Sequence, residues 1–172
     1  MFFDLGDIYL RELQARDLDG NWYKWFNNSK ITQYQDKGIY PNSYEKQFKY
    51  YNYLLDSDED VVMAIIDKKT EMHIGNIGLH KINYIHRRCE IGIVIGEEKF
   101  LSQGFGTICV ETFVKYAFDI LNLNRIMAII MEENTSSLAI FKKAGFFQEG
   151  ILNSYFYKNG KYLNSIILGK LK

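Results

Sequence analysis

The stretch from Arg88 to Met131 constrains this chain more than any other. Arg88–Ile95 is a strand-like apolar run. A short loop follows, then Gln103-Gly104-Phe105-Gly106-Thr107, then the clearest helical pattern in the sequence. In that pattern Val110, Phe113, Val114, Ala117, Phe118 and Leu121 form a broad apolar face, and Glu111, Lys115 and Asp119 a narrow polar stripe. Asn122–Asn124 turns the chain, and Arg125–Met131 is almost unbroken apolar sequence, as in a strand buried at the centre of a sheet. A strand, a crossover helix and a strand in this order put a parallel pair inside the sheet.

Antiparallel signals surround that unit. Asp7–Leu13 reads as a first strand. Asp17 is expected to cap a helix carrying Trp22, Trp25 and Phe26, and Ser43 a second carrying Phe48, Tyr51 and Leu55. Val61–Asp67 and His73–Ile82 read as strands joined by Lys68-Lys69-Thr70. Asn134 is expected to cap a helix that Gly145 ends, and Asn159-Gly160 to turn a final hairpin. The expected order is β-α-α-β-β-β-α-β-α-β-β. The fold class is α/β in the α+β sense: a mixed, mostly antiparallel twisted sheet with one central parallel pair and helices on both faces. With 172 residues, a single proline and no Gly/Ser-rich stretch, one domain spanning residues 1–172 is expected.

Composition excludes several functions. Lys plus Arg and Asp plus Glu both number 21, too even for wholesale nucleic-acid binding. The first residues lack a signal-peptide pattern, and no apolar run suits a membrane span, so a cytoplasmic protein without nucleic-acid or membrane partners is expected. Cys89 and Cys109 stand far apart, and His73, His80 and His86 lack zinc spacing, so no metal site is expected.

The loop and helix start at Gln103–Thr107 expose unpaired backbone N–H groups at the positive end of a helix, and glycine lets that backbone come close to a pyrophosphate. A lone G-x-G says little, and a Rossmann reading fails for want of the third glycine and the right element order. About 30 residues on, however, stands Asn134-Thr-Ser-Ser-Leu-Ala-Ile-Phe-Lys-Lys-Ala-Gly-Phe146. The two segments together resemble the two signatures of the GNAT acetyltransferases. Ile85-His86-Arg87-Arg88-Cys89-Glu90-Ile91-Gly92 and Glu149-Gly150…Asn159-Gly160-Lys161-Tyr162 look like the branch of ribosomal-protein, spermidine and amino-sugar acetyltransferases.

That resemblance implies a GNAT fold in which the central parallel strands splay, and an N-acetyltransferase in which a primary amine attacks acetyl-CoA directly within a ternary complex. It implies that acetyl-CoA, as co-substrate, meets Val94, Ile95, Leu101, Ser102, Gln103, Gly104, Phe105, Gly106, Thr107, Asn134, Ser137, Phe141 and Lys143. Two positions depart from the family pattern. Leu101 stands where Arg or Gln is frequent, and Phe141 where a tyrosine often protonates the leaving thiolate. Phe141 is expected to line the acetyl end of the groove, with Ser137 a substitute proton donor. Glu90 is the candidate proton acceptor; a plain ion pair with Arg87 or Arg88 is the competing reading.

The acceptor is expected to meet Asn28, Tyr34, Gln35, Tyr40, His80 and Glu90. The loop Asn28–Pro41 is aromatic and amide-rich with one carboxylate, Asp36. Stacking rings and neutral hydrogen bonds favour a small-molecule amine acceptor, a nucleotide-linked amino sugar, over a polycation. The alternatives are a protein N-terminus of the ribosomal type, a polyamine, or a non-catalytic acyl-CoA-binding module. A homodimer is left open.

Overall fold

The structure, a computed structural model, describes residues 1–172. Its framework is one eight-stranded sheet in the order β1-β2-β3-β4-β5-β6-β8-β7. The strands are β1 (Phe3–Asp4), β2 (Ile8–Glu12), β3 (Val61–Asp67), β4 (Met72–Asn83), β5 (Arg88–Ile95), β6 (Arg125–Met131), β7 (Phe147–Lys158) and β8 (Lys161–Leu171). All neighbours are antiparallel except β5 and β6, the pair that the strand–helix–strand pattern requires.

Side-chain alternation sends the sheet's apolar residues to two faces. On one face Ile8, Leu10, Ile65, Ile77 and Ile126 meet Cys109, Val110 and Phe113 of α4 (Phe105–Lys115) and Ala117 just beyond it, together with Phe141 and Ala144 from α5 (Thr135–Lys143) and its C-cap. A π turn at Tyr116–Ile120 carries the apolar face of α4 one turn further. On the other face Tyr9, Ala64 and Ile66 meet Trp22 and Trp25 of α1 (Trp22–Trp25) and Ile31 of α2 (Ser29–Thr32), with Tyr50, Tyr51 and Leu54 of α3 (Tyr44–Asp56) packed alongside.

Several punctuation signals act as read. Ser43 caps α3 by accepting from the Lys46 amide at 3.3 Å. Gly145, at φ 82°, ends α5 while the Phe146 amide reaches back to the Phe141 carbonyl at 3.0 Å. Asn159 and Gly160 both take positive φ in the β7–β8 turn.

The first helical region differs from expectation. Asp17 is not the N-cap of that helix; it is buried inside a 3-10 turn, Ala15–Asp19, where it accepts from the Gln14 amide at 2.8 Å and takes both ends of the Arg11 guanidinium at 2.6 and 2.7 Å. The helix behind it breaks in two. Asn28 starts α2, its side chain accepting from the Lys30 amide at 3.0 Å. The two-residue β1 lies ahead of the first expected strand.

Candidate active site

β5 and β6 pair only through Arg88↔Arg125, Cys89↔Ile126 and Glu90↔Met127. β5 continues to Ile95 and β6 to Met131, so beyond Glu90 the strands part and the main chain of β5 faces a wedge. At its mouth stands the N-terminus of α4. Gly104 takes φ 85°, and the amides of Gly104, Phe105 and Gly106 donate to nothing within the chain. A side chain at Gly106 would place its Cβ 2.8 Å from Ile140 Cδ1, so glycine keeps the ground between α4 and α5 open without displacing Ile140. A groove of about 220 Å³ results, lined by Val94, Ile95, Leu101, Gly106, Asn134 and Ser137 and roofed by Lys30, Ile31 and Tyr34 around α2. Asn134 is fixed by accepting from the Ser137 amide at 3.1 Å. Free amides, a helix N-terminus and a side-chain-free cradle suit the pyrophosphate of an acyl-CoA.

A second, larger cavity of about 560 Å³ adjoins the groove; Gln35, Ile93 and Val94 line both. Its floor is the bare backbone of Gly78 and Gly92, paired across β4 and β5. Trp22, Phe26, Tyr40 and Tyr50 form its walls, and His80 lines it as well. Asp36 is the one carboxylate among its lining residues, and burial raises that carboxyl above its ordinary value against the pull of Lys158 and Lys37. Burial, then the charges of Asp60 and Tyr53, push the Tyr50 phenol up to about 12, so it stays protonated. The Lys37 ammonium lies 5.7 Å from the Phe26 ring centre and 5.4 Å from that of Tyr50. From the β7–β8 hairpin, Lys158 reaches across to the Thr32 and Gln35 carbonyls and ties down the cavity's rim.

Not every expected residue meets these cavities. Val94, Ile95, Leu101, Gly106, Asn134 and Ser137 reach the groove, and Ser102, Gln103, Phe105 and Thr107 build the loop and first turn beside it. Tyr40, His80 and Gln35 line the larger cavity, whereas Tyr34 lines the groove. Four residues lie elsewhere. Phe141 is 2% exposed, its ring packed edge-on against Phe146 at 5.0 Å in the core rather than in the groove. Lys143 is exposed at the far end of α5. Asn28 is spent on capping α2 and on Glu98, 2.9 Å away. Glu90 gives both carboxylate oxygens to Lys81, at 2.9 and 3.1 Å, and lines a separate small cavity with Arg88 and Arg125. Its partner is thus neither Arg87 nor Arg88, because the irregularity between His80 and Asn83 carries Lys81 over the strand edge at φ 52°.

Splayed parallel strands opening onto a free helix N-terminus, with an amine-sized cavity on the other side of Val94, define an acyl-CoA-dependent N-acyltransferase. The chain belongs to the GNAT family: the family's acetyltransferase (GNAT) domain model matches residues 7–147. It is an N-acetyltransferase with acetyl-CoA as co-substrate. It is 30% identical over 159 residues to the spermidine N(1)-acetyltransferase of Escherichia coli K12, covering 92% of this chain and 83% of that one. It is 33% identical over 98 residues to the putative ribosomal N-acetyltransferase YdaF of Bacillus subtilis, covering 57% and 53%. The spermidine N-acetyltransferase of Vibrio cholerae, solved with CoA and spermine, superposes with a TM-score of 0.88 at 28% identity, over 96% of this chain and 95% of that one. These relatives favour the polyamine alternative; the amino-sugar expectation finds no support among them. No helix is long and apolar enough to cross a membrane.

Proposed function

We propose that the chain transfers the acetyl group of acetyl-CoA to a primary amine of a small aliphatic polyamine. In this reading the pyrophosphate rests on the amides of Gly104, Phe105 and Gly106, the pantetheine arm follows the open edge of β5 past Ile95 and Val94, and the amine enters through the larger cavity. The observation that carries it is the meeting of groove and cavity at Ile93 and Val94, which brings thioester and amine together from opposite sides. Backbone N–H groups in the wedge beside Val94 are placed to stabilise the negative charge that develops on the carbonyl oxygen.

The polyamine class is supported by the relatives and by the walls. Phe26 and Tyr50 form a cation site, held by Lys37 in this structure, which a substrate ammonium takes over as Lys37 swings out. With Asp36 as sole carboxylate against Lys37 and Lys46, the cavity suits an acceptor with few charges, a diamine better than a tetramine. CoA thiol release with putrescine, spermidine, spermine, an amino-sugar nucleotide and an N-terminal peptide tests the reading. Turnover is expected with the alkyl amines, strongest for the shorter ones. Turnover confined to the sugar nucleotide or the peptide refutes the polyamine assignment.

A further inference from the structure

We propose that His80 is the base that takes the proton from the acceptor's ammonium, oriented by Asp60, which Tyr53 and Ser57 hold in turn. This rests on the larger cavity being the acceptor site, though not on which amine fills it.

The geometry is that of an oriented imidazole. His80 Nδ1 lies 2.8 Å from Asp60 Oδ1. The other Asp60 oxygen accepts from the Tyr53 hydroxyl and from Ser57 Oγ at 3.3 Å, and the Asp60 amide donates to Ser57 Oγ at 3.1 Å. Burial pushes the Asp60 carboxyl up, but the hydrogen bonds from Tyr53 and His80, with His80's charge, bring it below its ordinary value. A carboxylate can only accept, so the neutral ring carries its proton on Nδ1 and leaves the Nε2 lone pair free.

That lone pair belongs to the cavity. Nε2 has no partner in the chain and hangs over the glycine floor: a Cβ built on Gly78 would lie 2.6 Å from it, and one on Gly92 3.9 Å. Gly92 is two residues from Val94, about 7 Å along an extended strand. That leaves room for an amine nitrogen, directly or through one water, between the imidazole and the wedge. The glycines also explain themselves, since any side chain at Gly78 would displace the imidazole. The charged and titratable groups around His80 are Asp60 from the α3–β3 connection, Tyr53 and Tyr50 from α3, and Glu90 across the ladder, which Lys81 engages. Glu90 is therefore poorly placed to do what His80 can do.

The step balances. His80 Nε2 takes one proton from the ammonium and becomes imidazolium. The freed nitrogen lone pair forms the bond to the acetyl carbon, the carbon–sulfur bond breaks and its electron pair leaves on sulfur. The nitrogen gives up its second proton, which ends on the thiol, and His80 returns the first to solvent. Asp60 stays ionised throughout and is a positioning residue.

Two measurements test this together: kcat/KM against pH, and NMR titration of the His80 imidazole without cofactor. The acid limb of the wild-type profile should fall at the pKa that NMR assigns to His80. His80→Gln should lose about 10²–10⁴-fold and abolish that limb, with acetyl-CoA affinity by calorimetry within about twofold. Asp60→Asn loosens the hold on the ring, so kcat should fall, and any displacement of the imidazole's NMR titration should displace the acid limb with it. Gly78→Ala should lower kcat while sparing acetyl-CoA affinity. An acid limb that persists in His80→Gln, or stays put while Asp60→Asn moves the imidazole's titration, overturns the proposal. A wild type that acetylates no amine refutes the acceptor site itself; undiminished activity in His80→Gln refutes only the base.

Discussion

Replacing Gly106 with valine probes the cofactor cradle at its narrowest point. The new Cβ would lie 2.8 Å from Ile140 Cδ1, inside the 3.4 Å at which ordinary contact begins, so Ile140 must move even for alanine. Its tip is flexible and can swing aside for one methyl. Valine adds two branches beyond that point, and whichever way Ile140 turns, one enters the groove that Gly106 lines. The pyrophosphate then loses at least one backbone donor. A hydrogen bond to a charged group contributes about 1.5–3 kcal/mol, so acetyl-CoA affinity should fall roughly 10- to 150-fold. Gly106→Ala should lose far less. Calorimetric titration reads the affinity, and a thermal melt confirms that the variant is folded. A folded Gly106→Val protein with wild-type affinity would refute the placement of the pyrophosphate on α4.

Three further outcomes follow from named contacts. Lys37→Met frees the Phe26–Tyr50 site of its internal ammonium, and because a cation over an aromatic face contributes about 0.5–2 kcal/mol, KM for a diamine should drop by about two- to thirtyfold with kcat little changed; steady-state kinetics check it, and a raised KM contradicts it. Asp17→Ala strands the buried Arg11 guanidinium and should cost about 3–5 kcal/mol in urea unfolding. Burial raises the Asp17 carboxyl, but Arg11, the Gln14 amide and His73 pull it below its ordinary 3.8, so its stabilisation is full above that value and drains away as pH falls through the lower folded pKa. Urea midpoints across that range should show the loss in the wild type and not in Asp17→Ala. Phe141→Ala should cost about 3–5 kcal/mol by opening a cavity beside Phe146, while acetyl-CoA affinity of the folded protein holds.

What the sequence made legible is what local pattern dictates. The crossover unit from β5 through α4 to β6, the α5 cap and stop, and the Asn159-Gly160 turn each depend on residues close together in the chain. What escaped depends on distant partners. Asp17 looked like a cap because an aspartate before a helical stretch usually is one; its buried partner is Arg11, on β2. Glu90 was expected to act as the base or to pair with Arg87 or Arg88, and the strand irregularity before Asn83 gives it Lys81 as its partner. His80 was expected at the acceptor, but nothing in its neighbourhood announces Asp60, 20 residues earlier and joined to it only by the β3–β4 pairing that folds the chain back. Phe141 sits one residue beyond Ile140 on α5, and that single step, about 100° around a helix, turns it from groove to core.

The central claim is that cofactor and amine occupy two cavities that meet at Val94, and backbone amide shift mapping by NMR tests it most directly. Titrating CoA should move the amides of Leu101–Thr107 and of Asn134–Ile140. Titrating a diamine should move those of Gly78, His80 and Tyr50. Both should move Ile93 and Val94, the residues shared by groove and cavity. Amine-induced shifts gathered instead around Lys81, Glu90 and Arg125, with Gly78, Gly92 and Val94 silent, would contradict the account.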